Sequence, residues 1–314
     1  MTSDSVKDVV MIGAGPSALT AAVYTTREDI DTTLYEKAAV GGLAAITDMV
    51  DNYPGFPDGI EGMKLAEQLE KQAKRFGAKI EYGDVSAVRV QDGLKVLTID
   101  GQDVKAKAVL IATGSDYGKI NVPGEAEYYA RGVHYCATCD GAFYRDRPIA
   151  VIGGGNSAVQ ESIFLTRFAS HIDLLVRSRI KASDVLQRDL KAYIDSGKIT
   201  VHLNTTIDEI AATDGKVSVV KVTENGEPRE VAVDGVFIFV GLKPNTGFLA
   251  GTDIELDERG LIKTDLRLQT NIPGIFASGD VRSGATMQIA SAVGEGASAA
   301  LSIREYLEEI EKAA

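Results

Sequence analysis

Asp8-Val9-Val10-Met11-Ile12-Gly13-Ala14-Gly15-Pro16-Ser17-Ala18 is an apolar run ending in a glycine turn. The pattern returns as Pro148-Ile149-Ala150-Val151-Ile152-Gly153-Gly154-Gly155-Asn156-Ser157-Ala158. Each copy predicts a buried strand that turns sharply into a helix. In the first copy Gly13 permits the tight turn. Gly15 lets backbone approach a pyrophosphate resting on the helix N-terminus, and Ala18 is small where helix meets strand. Beyond a helix over 19–24, the strand Thr32–Glu36 ends in an acid that can accept from ribose hydroxyls. A glycine run alone is weak. Strand before, helix after and an acid about twenty residues on make it a specific dinucleotide fingerprint.

The second copy departs at the ribose position. Its next strand, Ile172-Asp173-Leu174-Leu175-Val176, runs into Arg177-Ser178-Arg179-Ile180-Lys181 with no acid. Cations there suit a 2′-phosphate, so the second site prefers NADPH over NADH. A solvated basic loop is the plain alternative.

Between the copies lies Val133-His134-Tyr135-Cys136-Ala137-Thr138-Cys139-Asp140-Gly141, which holds both cysteines of the 314-residue chain. Thiols at this spacing can close and reopen a small disulfide ring, and Asp140 can move the proton each step needs. Zinc is the alternative, but it usually takes four ligands. Only His134, His171 and His202 could join the cysteines, none as a pair at finger-like spacing, so no metal is expected.

Composition narrows the class. Hydrophobic residues make up 45% and charged residues 25%, ordinary for a globular chain with full cores. A net charge of −12 argues against nucleic acid or an anionic membrane as partner. No apolar run approaches the roughly 20 residues of a membrane span. Met1-Thr2-Ser3-Asp4-Ser5 lacks the regions of a signal peptide, so a cytoplasmic location is expected.

Further segments belong with the first copy. Val109-Leu110-Ile111-Ala112-Thr113-Gly114 and Ile275-Phe276-Ala277-Ser278-Gly279-Asp280 are strands ending in glycine turns. Asp280 can bind a flavin's ribityl hydroxyl, with a small-residue helix over 288–301 following. A separate amphipathic helix is expected over 303–312, and another over 61–76 that packs on its own core. Hairpin strands are expected near 85–90, 94–99 and 104–106, and near 217–223 and 229–233. The first copy's pieces lie at both chain ends, so the second unit is an insertion on two links near 115–120 and 241–247. The expected fold is α/β. It comprises two Rossmann-like three-layer dinucleotide-binding domains, 1–116 with 246–314 for the first nucleotide, and 117–245 for NAD(P)H and the cysteine pair.

Over essentially its whole length the chain resembles the low-molecular-weight thioredoxin reductases. The resemblance rests on Gly13-Ala14-Gly15-Pro16-Ser17-Ala18, Asp51-Asn52-Tyr53-Pro54-Gly55-Phe56, Ala112-Thr113-Gly114, Cys136-Ala137-Thr138-Cys139-Asp140-Gly141, Gly153-Gly154-Gly155-Asn156-Ser157-Ala158 and Gly279-Asp280-Val281. It implies a homodimer that passes electrons from NADPH through FAD and the Cys136/Cys139 pair to a thioredoxin-like protein. Cys139 would face the flavin, Cys136 would attack the partner disulfide, and Asp140 would donate and accept protons. The implied FAD contacts are Gly13, Gly15, Ser17, Ala18, Glu36, Lys37, Gly42, Asn52, Ala112, Thr113, Gly114, Gly279, Asp280, Gln288 and Ile289. NADPH would meet Gly153, Gly155, Asn156, Ser157, Ala158, Arg177, Arg179 and Lys181. The family alternates nicotinamide and disulfide at the flavin by rotating the inserted domain on its links.

The chain departs from the family at four places. The basic loop is one residue shorter than the usual His-Arg-Arg-x-x-x-Arg. Leu43 follows Gly41-Gly42 where a flavin-contacting Gln is frequent. Residues 284–287 replace a stretch that commonly ends in Arg, and Ala142 stands where many members have Phe. A disulfide reductase fed by ferredoxin or another flavin system therefore stays open, as does a flavin-dependent dithiol oxidase. A non-catalytic nucleotide-binding module has no need of a paired thiol.

Overall fold

The structure, a computed structural model, describes residues 6–47, 49–50 and 52–313; Met1–Ser5 and Asp51 of the motifs above lie outside them. The chain separates into two compact units, Met1–Asp116 with Lys243–Ala314, and Tyr117–Leu242.

The discontinuous unit is built on a seven-stranded sheet. Lys79–Tyr82, Thr32–Glu36, Lys7–Ile12 and Gln102–Ile111 lie side by side in parallel. Gln102–Ile111 changes partners along its length. Its first half pairs antiparallel with Leu94–Ile99, which pairs with Val85–Gln91, and its last residues pair in parallel with Ile275–Ala277. The expected hairpin strand near 104–106 and the expected strand from Val109 are thus one strand. No glycine or proline falls between Val104 and Val109, so nothing there breaks the strand.

Alternation along Lys7–Ile12 divides the core between the two faces of the sheet. Val9 and Met11 pack with Leu19, Leu110 and Phe276 beneath the helices Pro16–Thr26 and Ile289–Ala313. Val10 and Ile12 face Leu97, Val109 and Ile111 on the other side. Each such fully buried aliphatic side chain is worth roughly 1.5–3 kcal/mol. Pro16 starts its helix where a missing N–H costs nothing. Gly62–Arg75 carries Leu65, Ala66 and Ala73 on its buried side. The two C-terminal helices expected from sequence are one 25-residue helix, Ile289–Ala313. Its first half is rich in Gly, Ala and Ser because it lies close against another helix: a Cβ at Gly296 would sit 2.2 Å from the Ser17 carbonyl oxygen.

The inserted unit has a five-stranded parallel sheet in the order Val133–His134, Gly235–Ile238, Pro148–Ile152, His171–Leu175, Ile199–His202. Ile149, Val151, Leu174 and Phe237 form the core on the side of the helices Asn156–Leu165 and Asp184–Asp195. Ala150, Ile152, Val236 and Ile238 pack against a three-stranded antiparallel sheet, Thr205–Thr213, Lys216–Glu224 and Glu227–Ala232. Its first strand was not anticipated: Thr205–Thr213 mixes polar and apolar residues without clean alternation, and its register shifts twice against Lys216–Glu224.

Candidate redox and nucleotide sites

Cys136 ends the approach from the strand Val133–His134 and caps a single turn, Ala137–Asp140, with its sulfur accepting from the Cys139 N–H at 3.2 Å. That turn brings the sulfurs together, and Cys136 and Cys139 form a disulfide with Cα atoms 5.3 Å apart. The Asp140 N–H is held by the Cys136 carbonyl at 3.1 Å. The Asp140 carboxylate is largely withdrawn from water, and its Oδ2 lies 3.2 Å from His134 Nδ1. His134 is buried, and its Nε2 shares a 2.6 Å hydrogen bond with the Tyr144 hydroxyl. Burial first, then the nearby Asp140 charge, push the Tyr144 hydroxyl well above its usual range, so it stays protonated. His134 and Tyr144 were not legible as part of this centre. His134 stood out only as a possible metal ligand, and Tyr144 lies eight residues beyond Cys136 with no motif joining them.

In the same unit a cleft of about 700 Å³ opens over the second glycine turn. Gly153, Gly155, Asn156, Ser157, Arg177, Arg179 and Lys181 line it together; Ala158 is fully buried beneath, at the helix start. Gly153 has φ +146°, and a Cβ there would sit 2.4 Å from the Phe239 carbonyl oxygen. The shortened basic loop folds onto the turn, with the Lys181 N–H donating to the Gly154 carbonyl at 2.6 Å. Asn156 is partly committed to structure, since its Oδ1 accepts from the Ser183 N–H at 2.8 Å. A fourth cation, Lys119, lines the cleft; it comes from the linking segment, far from the fingerprint in sequence, where no motif marks it.

In the discontinuous unit a smaller cavity of about 420 Å³ is lined by Gly13, Glu36, Lys37 and Thr113 among others. Gly13 has φ +98°, and a Cβ there would sit 2.6 Å from the Ala112 carbonyl oxygen. Nothing lies within 4 Å of where a Cβ of Gly15 would be, which leaves room for a ligand's approach; Gly42 backs the same glycine. The Glu36 carboxylate accepts from the N–H groups of Ala14 and Ala38, each at 2.8 Å, which fixes it at the turn. Ser17 Oγ meets Ser278 Oγ at 2.6 Å, and Ala18 is fully buried. Thr113 is tied to Asn245 by two hydrogen bonds, next to Gly114 at φ +64°. Asn52 Nδ2 donates to Gln288 Oε1 at 3.1 Å, directly before Ile289, which packs on the small cluster of Val50, Ile60 and Leu65.

Asp280 tests the fit of a flavin. Burial, then the Glu295 charge, push its carboxyl up to about 6. No side chain or backbone N–H among the described residues hydrogen-bonds to it. A desolvated acceptor with no partner fits a ligand hydroxyl, and the open space above Gly15 fits a pyrophosphate.

The profile of the pyridine nucleotide-disulphide oxidoreductase family matches residues 7–296. The thioredoxin reductase of Bacillus subtilis is 42% identical, over 99% of this chain and 98% of its own. The crystal structure of thioredoxin reductase from Streptococcus pyogenes superposes with a TM-score of 0.89 at 39% identity, covering 98% of this chain and 100% of that one. Thioredoxin reductase from Giardia duodenalis gives 0.88 at 30% identity, covering 96% and 98%. With these relatives, the glycine turns and the Cys136–Cys139 disulfide, the chain belongs to the pyridine nucleotide-disulphide oxidoreductases, among the thioredoxin reductases.

Proposed function

We propose that the chain is an FAD-containing thioredoxin-disulfide reductase driven by NADPH. The observation that carries this reading is the Cys136–Cys139 disulfide followed directly by Asp140, whose carboxylate lies 3.2 Å from a buried imidazole, in the same unit as a glycine-turn cleft lined by four cations. Residues 1–116 and 246–314 form the FAD domain, with Glu36 accepting from a ribose hydroxyl and Asp280 from the ribityl chain. Residues 117–245 form the NADPH domain, with Arg177, Arg179, Lys181 and Lys119 around the 2′-phosphate. Bound FAD supplies a two-electron carrier between nicotinamide and disulfide.

The protein's own steps are thiol chemistry. In the dithiol form, the Cys136 thiolate attacks one sulfur of the partner disulfide, making a mixed disulfide and releasing one partner thiolate. The Cys139 thiolate then attacks Cys136 Sγ, breaking the mixed disulfide and releasing the second. The partner is reduced by two electrons, the cysteine pair is oxidised by two, and two protons pass from the pair to the leaving thiolates. Asp140 accepts and returns those protons. The functional form is a homodimer in the cytoplasm, and the partner is a separate thioredoxin-like chain.

Mixed with NADPH without oxygen, purified protein should bleach its flavin band, and oxidised thioredoxin should restore it. NADH should be at least tenfold less effective, since two charge-assisted contacts at roughly 1.5–3 kcal/mol each favour the 2′-phosphate. Replacing Arg177 and Lys181 together by Ala should raise the NADPH KM and leave NADH unchanged. Folded protein that stays colourless with added FAD, or reduced protein that thioredoxin cannot reoxidise, overturns the reading. If both nicotinamides fail while dithionite-reduced protein still reduces thioredoxin, a donor such as ferredoxin replaces NADPH.

A further inference from the structure

We propose that His134 is a positioning residue for Asp140, in a buried Asp140–His134–Tyr144 chain that holds the carboxylate for proton transfer at the disulfide. The inference rests on the disulfide-reductase reading above.

Three observations combine. The imidazole is almost entirely buried and bridges two polar groups, Asp140 Oδ2 at 3.2 Å from Nδ1 and the Tyr144 hydroxyl at 2.6 Å from Nε2. Its ring is clamped, stacked on Phe237 with centroids 5.2 Å apart and met edge-on by Tyr144 at 5.3 Å. The Tyr144 ring in turn occupies space left by a glycine: a Cβ at Gly235 would fall 2.2 Å from it. The imidazole therefore has one orientation, set by the parallel sheet of the inserted unit.

The hydrogen-bond roles follow from protonation. Tyr144 stays neutral, so its O–H donates to Nε2. A neutral imidazole accepting at Nε2 carries its proton on Nδ1, where the Asp140 carboxylate lies. Oδ2 is thus faced by a donor, while Oδ1 has no hydrogen bond among the described residues and is the oxygen left for exchange with a thiol. When Asp140 takes a proton at Oδ1, Oδ2 remains an acceptor facing the Nδ1 proton, and the Tyr144 hydroxyl keeps donating to Nε2. The chain thereby keeps the same hydrogen-bond roles in both states of the acid. Tyr129 also lies near Asp140, and Arg147 and Asp234 lie near Tyr144.

A residue that acts only through Asp140 has a signature in a double-mutant cycle. The FAD-loaded enzyme is converted to the dithiol with one equivalent of NADPH. Two rates are then read at pH 7: single-turnover oxidation by oxidised thioredoxin, and alkylation of the dithiol by iodoacetamide. His134→Phe keeps the ring and its stacking, and should slow both by on the order of tenfold, part of the 10²–10⁴-fold typical of general acid–base help. Asp140→Asn should slow both at least as much. Adding His134→Phe to Asp140→Asn should cost less than about twofold further, because the effects share one group. His134→Asn, whose amide can donate from near the Nδ1 position, should recover most of the loss. FAD content and flavin bleaching by NADPH should match wild type throughout.

Multiplying effects in the double variant, or wild-type rates in His134→Phe, overturn the inference. If His134→Phe fails to fold, Tyr144→Phe takes its place in the same cycle and must show the same lack of further loss. A wild-type protein that NADPH cannot reduce, or whose dithiol thioredoxin cannot oxidise, instead refutes the reading on which the inference stands.

Discussion

Asp280 carries a cost that only a ligand can offset. Its carboxyl is pushed up to about 6, chiefly by burial and further by Glu295, which itself pairs with Arg282 and with the Gly279 N–H. A carboxyl whose folded pKa lies above its unfolded value of 3.8 takes up more protons folded than unfolded. Its ionisation therefore lowers stability as pH rises from about 4, and the loss is complete above about 6, reaching on the order of 3 kcal/mol at most. Asp280→Asn should therefore stabilise flavin-free protein, with a larger gain at pH 8 than at pH 5, read by urea unfolding at both. The same change should weaken FAD, because the amide's single acceptor oxygen is neutral where the carboxylate is charged. A gain independent of pH would show that the Asp280 carboxyl is not raised above its unfolded value.

Between strands, His202 does the opposite work. It ends Ile199–His202 and is held from both sides, with Nε2 2.7 Å from Asp173 Oδ1 and Nδ1 3.1 Å from Glu224 Oε1. The hydrogen bond with Asp173 leads in raising its pKa, against burial and aided by Glu224. The Glu224 carboxyl is lowered, first by Arg229. A raised histidine stabilises fully below its unfolded value of 6.5 and loses that contribution as pH climbs through the folded value. The lowered Glu224 contributes above 4.5 and loses its share as pH falls through its own folded value. The clamp joining the parallel sheet to Lys216–Glu224 is thus strongest between about 4.5 and 6.5. Hydrogen bonds to charged groups are worth roughly 1.5–3 kcal/mol, so unfolding midpoints should fall from pH 6 to pH 9 in wild type. His202→Phe should flatten that slope; an unchanged slope would place the titration elsewhere. The clamp also marks the limit of sequence reading. The glycine turns and flanking strands were legible because hydrophobic period and turn chemistry act within a dozen residues. Asp173, His202 and Glu224 meet only through strand order. The same holds for Lys119 in its cleft and for His134 with Tyr144, which no local pattern connects. The C-terminal helix was split in sequence because its small-residue packing face gives way near residue 302 to a charged one, although the backbone continues.

At the scale of the whole chain, the cysteine pair and the basic cleft belong to the inserted unit, and Glu36 and Asp280 to the other. With the flavin in the discontinuous unit and the nicotinamide in the inserted one, as proposed above, electrons bound for the disulfide would leave the inserted unit and return to it, which would place weight on the two links. Ser115–Tyr117 and Leu242–Pro244 pair as a short two-stranded ribbon, continued by the Gly118 N–H donating to the Gly241 carbonyl at 2.8 Å. A Cβ at Gly118 would lie 2.8 Å from that carbonyl oxygen and 3.1 Å from Val240 Cγ2. Gly118→Val should therefore spread the ribbon, at a cost of the 1–3 kcal/mol typical of overpacking. The residues proposed to hold FAD belong to the other unit, so FAD stoichiometry should hold; Lys119 neighbours Gly118 and lines the basic cleft with Gly241, so the half-reactions are compared at saturating NADPH. Turnover with thioredoxin should fall several-fold, since changes at a hinge alter the rates of motion on which each cycle depends. Stopped-flow locates the fault: under the proposed alternation both flavin reduction by NADPH and its reoxidation by thioredoxin should slow, because each would need the inserted unit to present a different group. If only one half-reaction slows, the ribbon supports that site alone, and the alternation of the two groups depends on some other part of the chain.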